Sequence, residues 1–132
     1  VFQLGLSYAR AGDAARAADT LKHALQLDPT NFSAAYNLGA IYVQQQKTAE
    51  AIGAFREALR IAPEYVRGHV ALGEVLLFTG NADEALVHFR QAVALEPENP
   101  LTHMSLAKAL QARGFSAEAQ QEVRKAQEIA PR

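Results

Sequence analysis

Cysteine and tryptophan are absent from the 132-residue sequence, and methionine occurs once. The missing thiol removes disulfide frameworks, thiolate-bound zinc and thiol nucleophiles together, and is equally compatible with a reducing or an oxidising compartment. An excess of one charge is missing too: 13 Lys and Arg stand against 14 Asp and Glu, for a net charge of -1. A field so close to neutral gives no reason to expect nucleic acid or an anionic membrane surface as a partner. No stretch approaches the roughly 18 to 20 apolar residues that span a bilayer, so a soluble chain is expected. The opening Val1-Phe2-Gln3-Leu4-Gly5 has neither a charged leader nor a cleavage site. It also starts without Met and inside a periodic pattern, so we expect a first repeat incomplete at its N-terminus and any targeting signal to lie upstream.

Signatures of chemistry are missing as well. Each glycine is a single one in a helix or turn context, with no Gly-rich phosphate loop, and Ser7, Ser33, Ser105 and Ser116 lack an elbow motif. Of the four histidines, His69 and His103 occupy the same position of adjacent repeats. Stacked repeats separate such positions by about 10 Å, too far for two ligands of one ion with bonds of about 2 Å. His23 and His88 fall on second helices, where Glu84 offers His88 an ordinary surface pair. No catalytic residue, cofactor or metal is expected.

What the sequence does contain is a period. Pro29, Pro63, Pro97 and Pro131 recur at a constant 34-residue interval, and each closes a similar phrase, such as Ala24-Leu25-Gln26-Leu27-Asp28-Pro29 and Ala58-Leu59-Arg60-Ile61-Ala62-Pro63. The same frame aligns Leu4-Gly5, Leu38-Gly39, Leu72-Gly73 and Leu106-Ala107, then Tyr8, Tyr42, Leu76 and Leu110. It also aligns Ala17, Ala51, Ala85 and Ala119, and after them Leu21, Phe55, Phe89 and Val123. Apolar spacing in Tyr36, Leu38, Ile41, Tyr42 and in Ala51, Ile52, Phe55, Leu59 marks two amphipathic helices per repeat. A recurring mid-helix Gly, which costs about 1 kcal/mol against Ala, implies that a neighbouring helix occupies the space of its side chain.

Asp13, Thr48, Asn81 and Ser116 suit N-caps of the second helices, with Asn81 and Glu84 in capping-box spacing, and Gly12, Gly80 and Gly114 supply the preceding turns. Asn99-Pro100 reads as a cap and a first-turn proline. The expected helices are 1-11, 14-27, 32-45, 48-61, 66-79, 82-95, 100-112 and 116-129. One domain over 1-132 is expected, with repeats at 1-31, 32-65, 66-99 and 100-132. In the last repeat Gln120 and Gln127 replace the apolar Ala18, Ile52 and Leu86 and Leu25, Leu59 and Val93, as befits a solvent-facing cap; the other reading is a further capping helix over them.

The residues at these offsets resemble the tetratricopeptide repeat, whose signature is a large residue, Leu, Gly, Tyr, Ala, Phe, Ala and Pro. The second repeat matches at seven of the eight offsets and the fourth at four, so the fourth departs furthest. The resemblance covers the whole chain and implies an all-α, right-handed α-solenoid of four 34-residue helix-turn-helix repeats. It also implies that the first helices line a concave face that binds protein or peptide. The family's groove positions fall here on Phe2, Leu6 and Arg10; on Tyr36, Asn37 and Val43; on Arg67, Val70, Glu74, Leu77 and Phe78; and on Met104 and Lys108. These make an apolar trough with polar handles, suited to an amphipathic or extended segment; Val43, Val70 and Leu77 would alternatively complete packing between first helices. The family's carboxylate clamp is not expected: Asn37 and Arg67 match it, but Phe2, Leu6 and Ala71 stand where Lys, Asn and Arg belong.

The leading expectation is thus a scaffold that holds a peptide or partner segment in an apolar groove. A second is self-association, giving a homo-oligomer, or packing within a larger and catalytic protein. An asparagine-lined substrate-selecting appendage is argued against, since Asn37 alone holds the relevant position. The mixed charges of the second helices read as a solvated face.

Overall fold

The computed structural model describes residues 1-129; Pro131 and the end of the last expected repeat lie outside the described residues. Eight α-helices and no strand occur among the described residues. They are α1 (Phe2–Arg10), α2 (Ala14–Leu27), α3 (Phe32–Gln44), α4 (Thr48–Ile61), α5 (Val66–Phe78), α6 (Ala82–Leu95), α7 (Pro100–Ala112) and α8 (Ser116–Ile129). The expected boundaries hold to within a residue, because apolar period, turns and breakers coincide in each repeat.

Two compact units divide the chain at Gly68 and His69, inside α5. In the first, α1 pairs with α2 and α3 with α4, while α2 packs on α3 and α1 touches α3. In the second, α7 pairs with α8 and α6 packs on α7.

The aligned glycines explain the pairing. A Cβ on Gly39 would lie 2.6 Å from Cδ1 and Cε1 of Phe55, one on Gly73 2.6 Å from Cε1 of Phe89, and one on Gly5 2.8 Å from Cδ2 of Leu21. The offset from glycine to large side chain is the same each time, so the same knob enters the same gap in three successive repeats. Leu21, Phe55 and Phe89 are at most 2% exposed, each worth about 1.5–3 kcal/mol of apolar burial. Ala17, Ala51, Ala85 and Ala119, the aligned small residues, are buried as well.

Caps follow the turns. Gly12, Gly80 and Gly114 have φ of 81°, 84° and 82°, and the residue after each begins the cap. Asp13 accepts from the Arg16 backbone N–H at 3.2 Å, and Asn99 from Leu101 N–H at 2.9 Å ahead of Pro100. Thr48 and Ser116 are not caps; they are the first residues of α4 and α8, because the left-handed residue fixes the cap one position earlier, at Lys47 in α4. Asn81 is at its cap position, but its side chain reaches Glu84 Oε1 at 3.5 Å rather than a backbone N–H.

In the second repeat the turn residue equivalent to these glycines is Gln46, with φ of 60°. An L side chain pays about 1–2 kcal/mol there, of which glycine's extra freedom in the unfolded chain offsets about 0.5–1. Gln46→Gly is therefore expected to raise stability by about 0.5–1 kcal/mol. Urea unfolding of both proteins measures it, and a lowered midpoint would show that the Gln46 side chain contributes more than its backbone costs.

Candidate interaction surface

In the first unit, α1 holds Phe2 and Leu6 half-buried and Arg10 exposed, while α3 holds Tyr36 and Asn37 half-buried and Val43 exposed. These positions repeat at helical spacing, which places them along one side of each helix. Tyr36 is a packed residue: its ring centroid lies 5.7 Å from that of Phe55 and 5.4 Å, edge-on, from that of Tyr65. Its other neighbour is the Arg67 guanidinium, whose Cζ stands 4.9 Å from the ring centroid, a cation–π contact that fixes this first-turn residue of α5. Asn37 is turned onto its own helix, its Nδ2 donating to the Ser33 carbonyl at 2.7 Å.

Sequence reasoning missed the aromatic corner beside Tyr36. Phe32 and Tyr65 meet edge to face with centroids 4.9 Å apart. With Ala62, Pro63 and Glu64 they line an open, apolar hollow of about 450 Å³. Burial pushes the Tyr65 phenol above its ordinary value. A signal was present: Tyr65 stands where the neighbouring repeats have the capping residues Asn31 and Asn99. Gly68 follows from it, since a Cβ there would meet Leu59 Cδ2 at 2.9 Å and Tyr65 Cδ2 at 3.2 Å.

In the second unit, α5 carries Val70, Glu74, Leu77 and Phe78 at helical spacing, with Val70 and Leu77 half-buried and Glu74 exposed. Phe78 is 85% exposed, the most open large apolar side chain among the described residues. On α7, Leu101 is 71% and Met104 45% exposed, and Lys108 is exposed on the same side.

The histidines are less ordinary than expected. His69 and His103 are buried, and both have polar partners. Nδ1 of His103 lies 2.7 Å from Glu122 Oε1, and its Nε2 lies 2.7 Å from the Pro97 carbonyl oxygen. His69 faces His88, Nδ1 to Nδ1, at 3.1 Å. His88 is thus not a surface partner of Glu84 alone: Glu84 Oε2 is 3.7 Å from its Nε2, but the His88 side chain is only 15% exposed. No cluster of three metal-ligating side chains occurs among the described residues.

Burial pushes the Glu122 carboxyl up, but hydrogen bonds from His103 and Lys125 outweigh it and hold the group below its ordinary 4.5. A carboxylate lowered by folding stabilises the fold above its unfolded value and stops doing so as pH falls through the lowered one. The wild type is therefore expected to lose more stability on acidification below 4.5 than Glu122→Gln; parallel acid titrations followed by circular dichroism check this, and equal losses would remove Glu122 as the cause. Elsewhere the second helices carry exposed pairs such as Arg16 with Asp13 and Arg60 with Glu57, worth little each.

Paired antiparallel helices with a 34-residue period define an all-α helix-turn-helix repeat protein. Family profiles described as tetratricopeptide repeat match residues 2–66, 66–91 and 79–132, and the chain belongs to that family. Its fold is an all-α tetratricopeptide-repeat solenoid, a kind of fold that serves as a protein-interaction scaffold. Among solved structures it is similar to a crystal structure of MamA, at 26% identity over 98% of this chain and 76% of that one, with a TM-score of 0.92. It is also similar to MamA of AMB-1, at 30% identity over 97% of this chain and 75% of that one, TM-score 0.82. MamA from Desulfovibrio magneticus RS-1, at 24% identity over 98% and 73% of the two chains and a TM-score of 0.89, shares the fold. No curated protein matches the chain in sequence. No helix among the described residues is long and apolar enough to cross a membrane.

Proposed function

We propose that the chain is a non-catalytic scaffold that holds an apolar segment of a protein partner against its first helices. The observation that carries this reading is the exposure of large apolar side chains on those helices, above all Phe78, Leu101 and Met104. Leu101 and Met104 stand three residues apart on α7 and share one face, and neighbouring apolar side chains left open together are a mark of recognition surfaces. Polar handles accompany them: Glu74 and Lys108 in the second unit, Arg10 and Arg67 in the first. The first unit, taken by itself, carries Phe2, Leu6, Val43 and the accessible edge of Tyr36 on its first helices, beside Asn37. The near-neutral charge favours a protein over nucleic acid as the partner.

Phe78 and Leu101 serve the test better than Tyr36, whose ring is built into an aromatic cluster. Phe78→Ala with Leu101→Ala should leave the melting curve within about 0.5 kcal/mol of wild type, as surface changes do. The same pair should abolish retention of a partner captured from lysate by the wild type, read by mass spectrometry. Retention of every partner by the double variant would move recognition away from these helices. Should nothing be captured, sedimentation over a range of concentrations separates self-association from a dedicated partner.

A further inference from the structure

Two repeats in the second unit carry a buried histidine at the same place, and each has been given a different partner. His69 and His103, at equivalent positions of the period, are each 5% exposed. Nineteen residues after each, on the second helix of its pair, stand His88 and Glu122. Around His103 both facing atoms, the Glu122 carboxylate and the Pro97 carbonyl, are acceptors. That slot accommodates a ring with hydrogen on both nitrogens. Around His69 the geometry differs. Its Nδ1 and that of His88 are 3.1 Å apart, with ring centroids at 5.3 Å. One nitrogen must donate and the other accept, so the space between the rings holds one hydrogen and not two.

We propose that the His69–His88 contact is an acid-sensitive latch joining α5 to α6: a single N–H links the rings near neutrality, and a second proton between them forces the rings apart and loosens this helix pair. Glu84 on α6 faces the outer nitrogen of His88 at 3.7 Å and so favours the first proton without making room for the second, and the charged groups of α4, whose Leu59 packs at Gly68 of α5, are Glu50, Arg56, Glu57 and Arg60, with Glu57 paired to Arg60. Asp83 and Arg90 of α6 are engaged by Arg113 and by Glu118 at 3.9 Å. On α7, which packs against α6, the titratable groups are His103, bound to Glu122, and the exposed Lys108. Glu74, on α5 itself, is exposed.

Proton counting gives the sign. Unfolded, the two rings take up two protons through the ordinary histidine range; folded, the pair holds one, so stability falls as pH falls through that range.

The test transplants one partner into the other slot. Thermal unfolding of wild type and His88→Glu is followed at pH 7.5 and 5.5. The wild-type Tm is expected to drop by about 5 °C, the size that one excluded proton produces in a unit of this length, and the His88→Glu Tm by less than half as much. Equal drops in the two proteins overturn the latch. If His88→Glu does not fold, nitrogen-detected imidazole spectra of the wild type decide the matter. One of the two facing Nδ1 atoms should remain without hydrogen in the folded protein at both pH values. Hydrogen on both, in a protein still folded with an unchanged Tm at pH 5.5, overturns the proposal.

Discussion

Gly39→Leu should unfold the first unit. The new Cβ alone would stand 2.6 Å from two ring carbons of Phe55, and that ring has nowhere to go, being 2% exposed. Overpacking a filled core costs about 1–3 kcal/mol and occasionally more, and leucine adds three further carbons beyond the clash. The better helix propensity of leucine gives back at most about 1 kcal/mol. At the top of that range the net loss is about 2–3 kcal/mol, which approaches the lower end of the stability of a unit this small, roughly 3–10 kcal/mol at 0.05–0.15 kcal/mol per residue. Urea unfolding followed by circular dichroism reads the effect, and Gly53 provides the control. Gly53 lies in α4 with nothing within 4 Å of where a Cβ would stand, so Gly53→Ala should stabilise by about 0.5–1 kcal/mol. If Gly39→Leu instead left the curve in place, α3 could not be packed on Phe55 as described.

The opposite change, in the second unit, should be nearly as damaging. Phe89 is fully buried and its ring fills the gap over Gly73. Phe89→Ala removes that ring and leaves a cavity, an expected loss of about 3–5 kcal/mol. Because the gap exists to admit the ring, the two sites should be coupled. Adding Gly73→Ala to Phe89→Ala is expected to recover about 1 kcal/mol, since the added methyl then meets empty space and the helix gains propensity. In the wild-type background Gly73→Ala should destabilise. A Gly73→Ala effect of the same sign and size in both backgrounds would show that the ring and the gap are unrelated.

Both predictions rest on a register legible in the sequence. Proline spacing, recurring Leu-Gly and recurring Ala fixed which residue of one helix meets which of the next, because a 34-residue period carries the same contact through every repeat. Helix ends were legible for the same reason, Thr48 and Ser116 included. What sequence misassigned there was the cap, which the left-handed turn residue sets one position before the helix rather than on the good capping residue itself. The candidate surface was legible only in outline. Periodicity puts Phe78, Met104 and Val43 on first helices, but exposure depends on neighbours that a single helix does not specify. Tyr36 shows the difference: its position follows the family pattern, while its engagement with Phe55, Tyr65 and Arg67 depends on side chains contributed by two other stretches of chain. The histidine pairs were hidden for a related reason. Comparing His69 with His103 sets equal positions side by side, whereas the contacts run to His88 and Glu122, half a period away.

That half-period has a kinetic meaning. Gly39 meets Phe55 and Gly73 meets Phe89 across a single turn of chain, as His69 meets His88 and His103 meets Glu122. Contacts this close in sequence close small loops at low entropic cost, so ordering can begin in any helix pair without waiting for a distant segment to arrive. Folding should accordingly be fast and able to start at more than one point along the chain, with the slowest step being the joining of neighbouring pairs rather than the forming of any one of them.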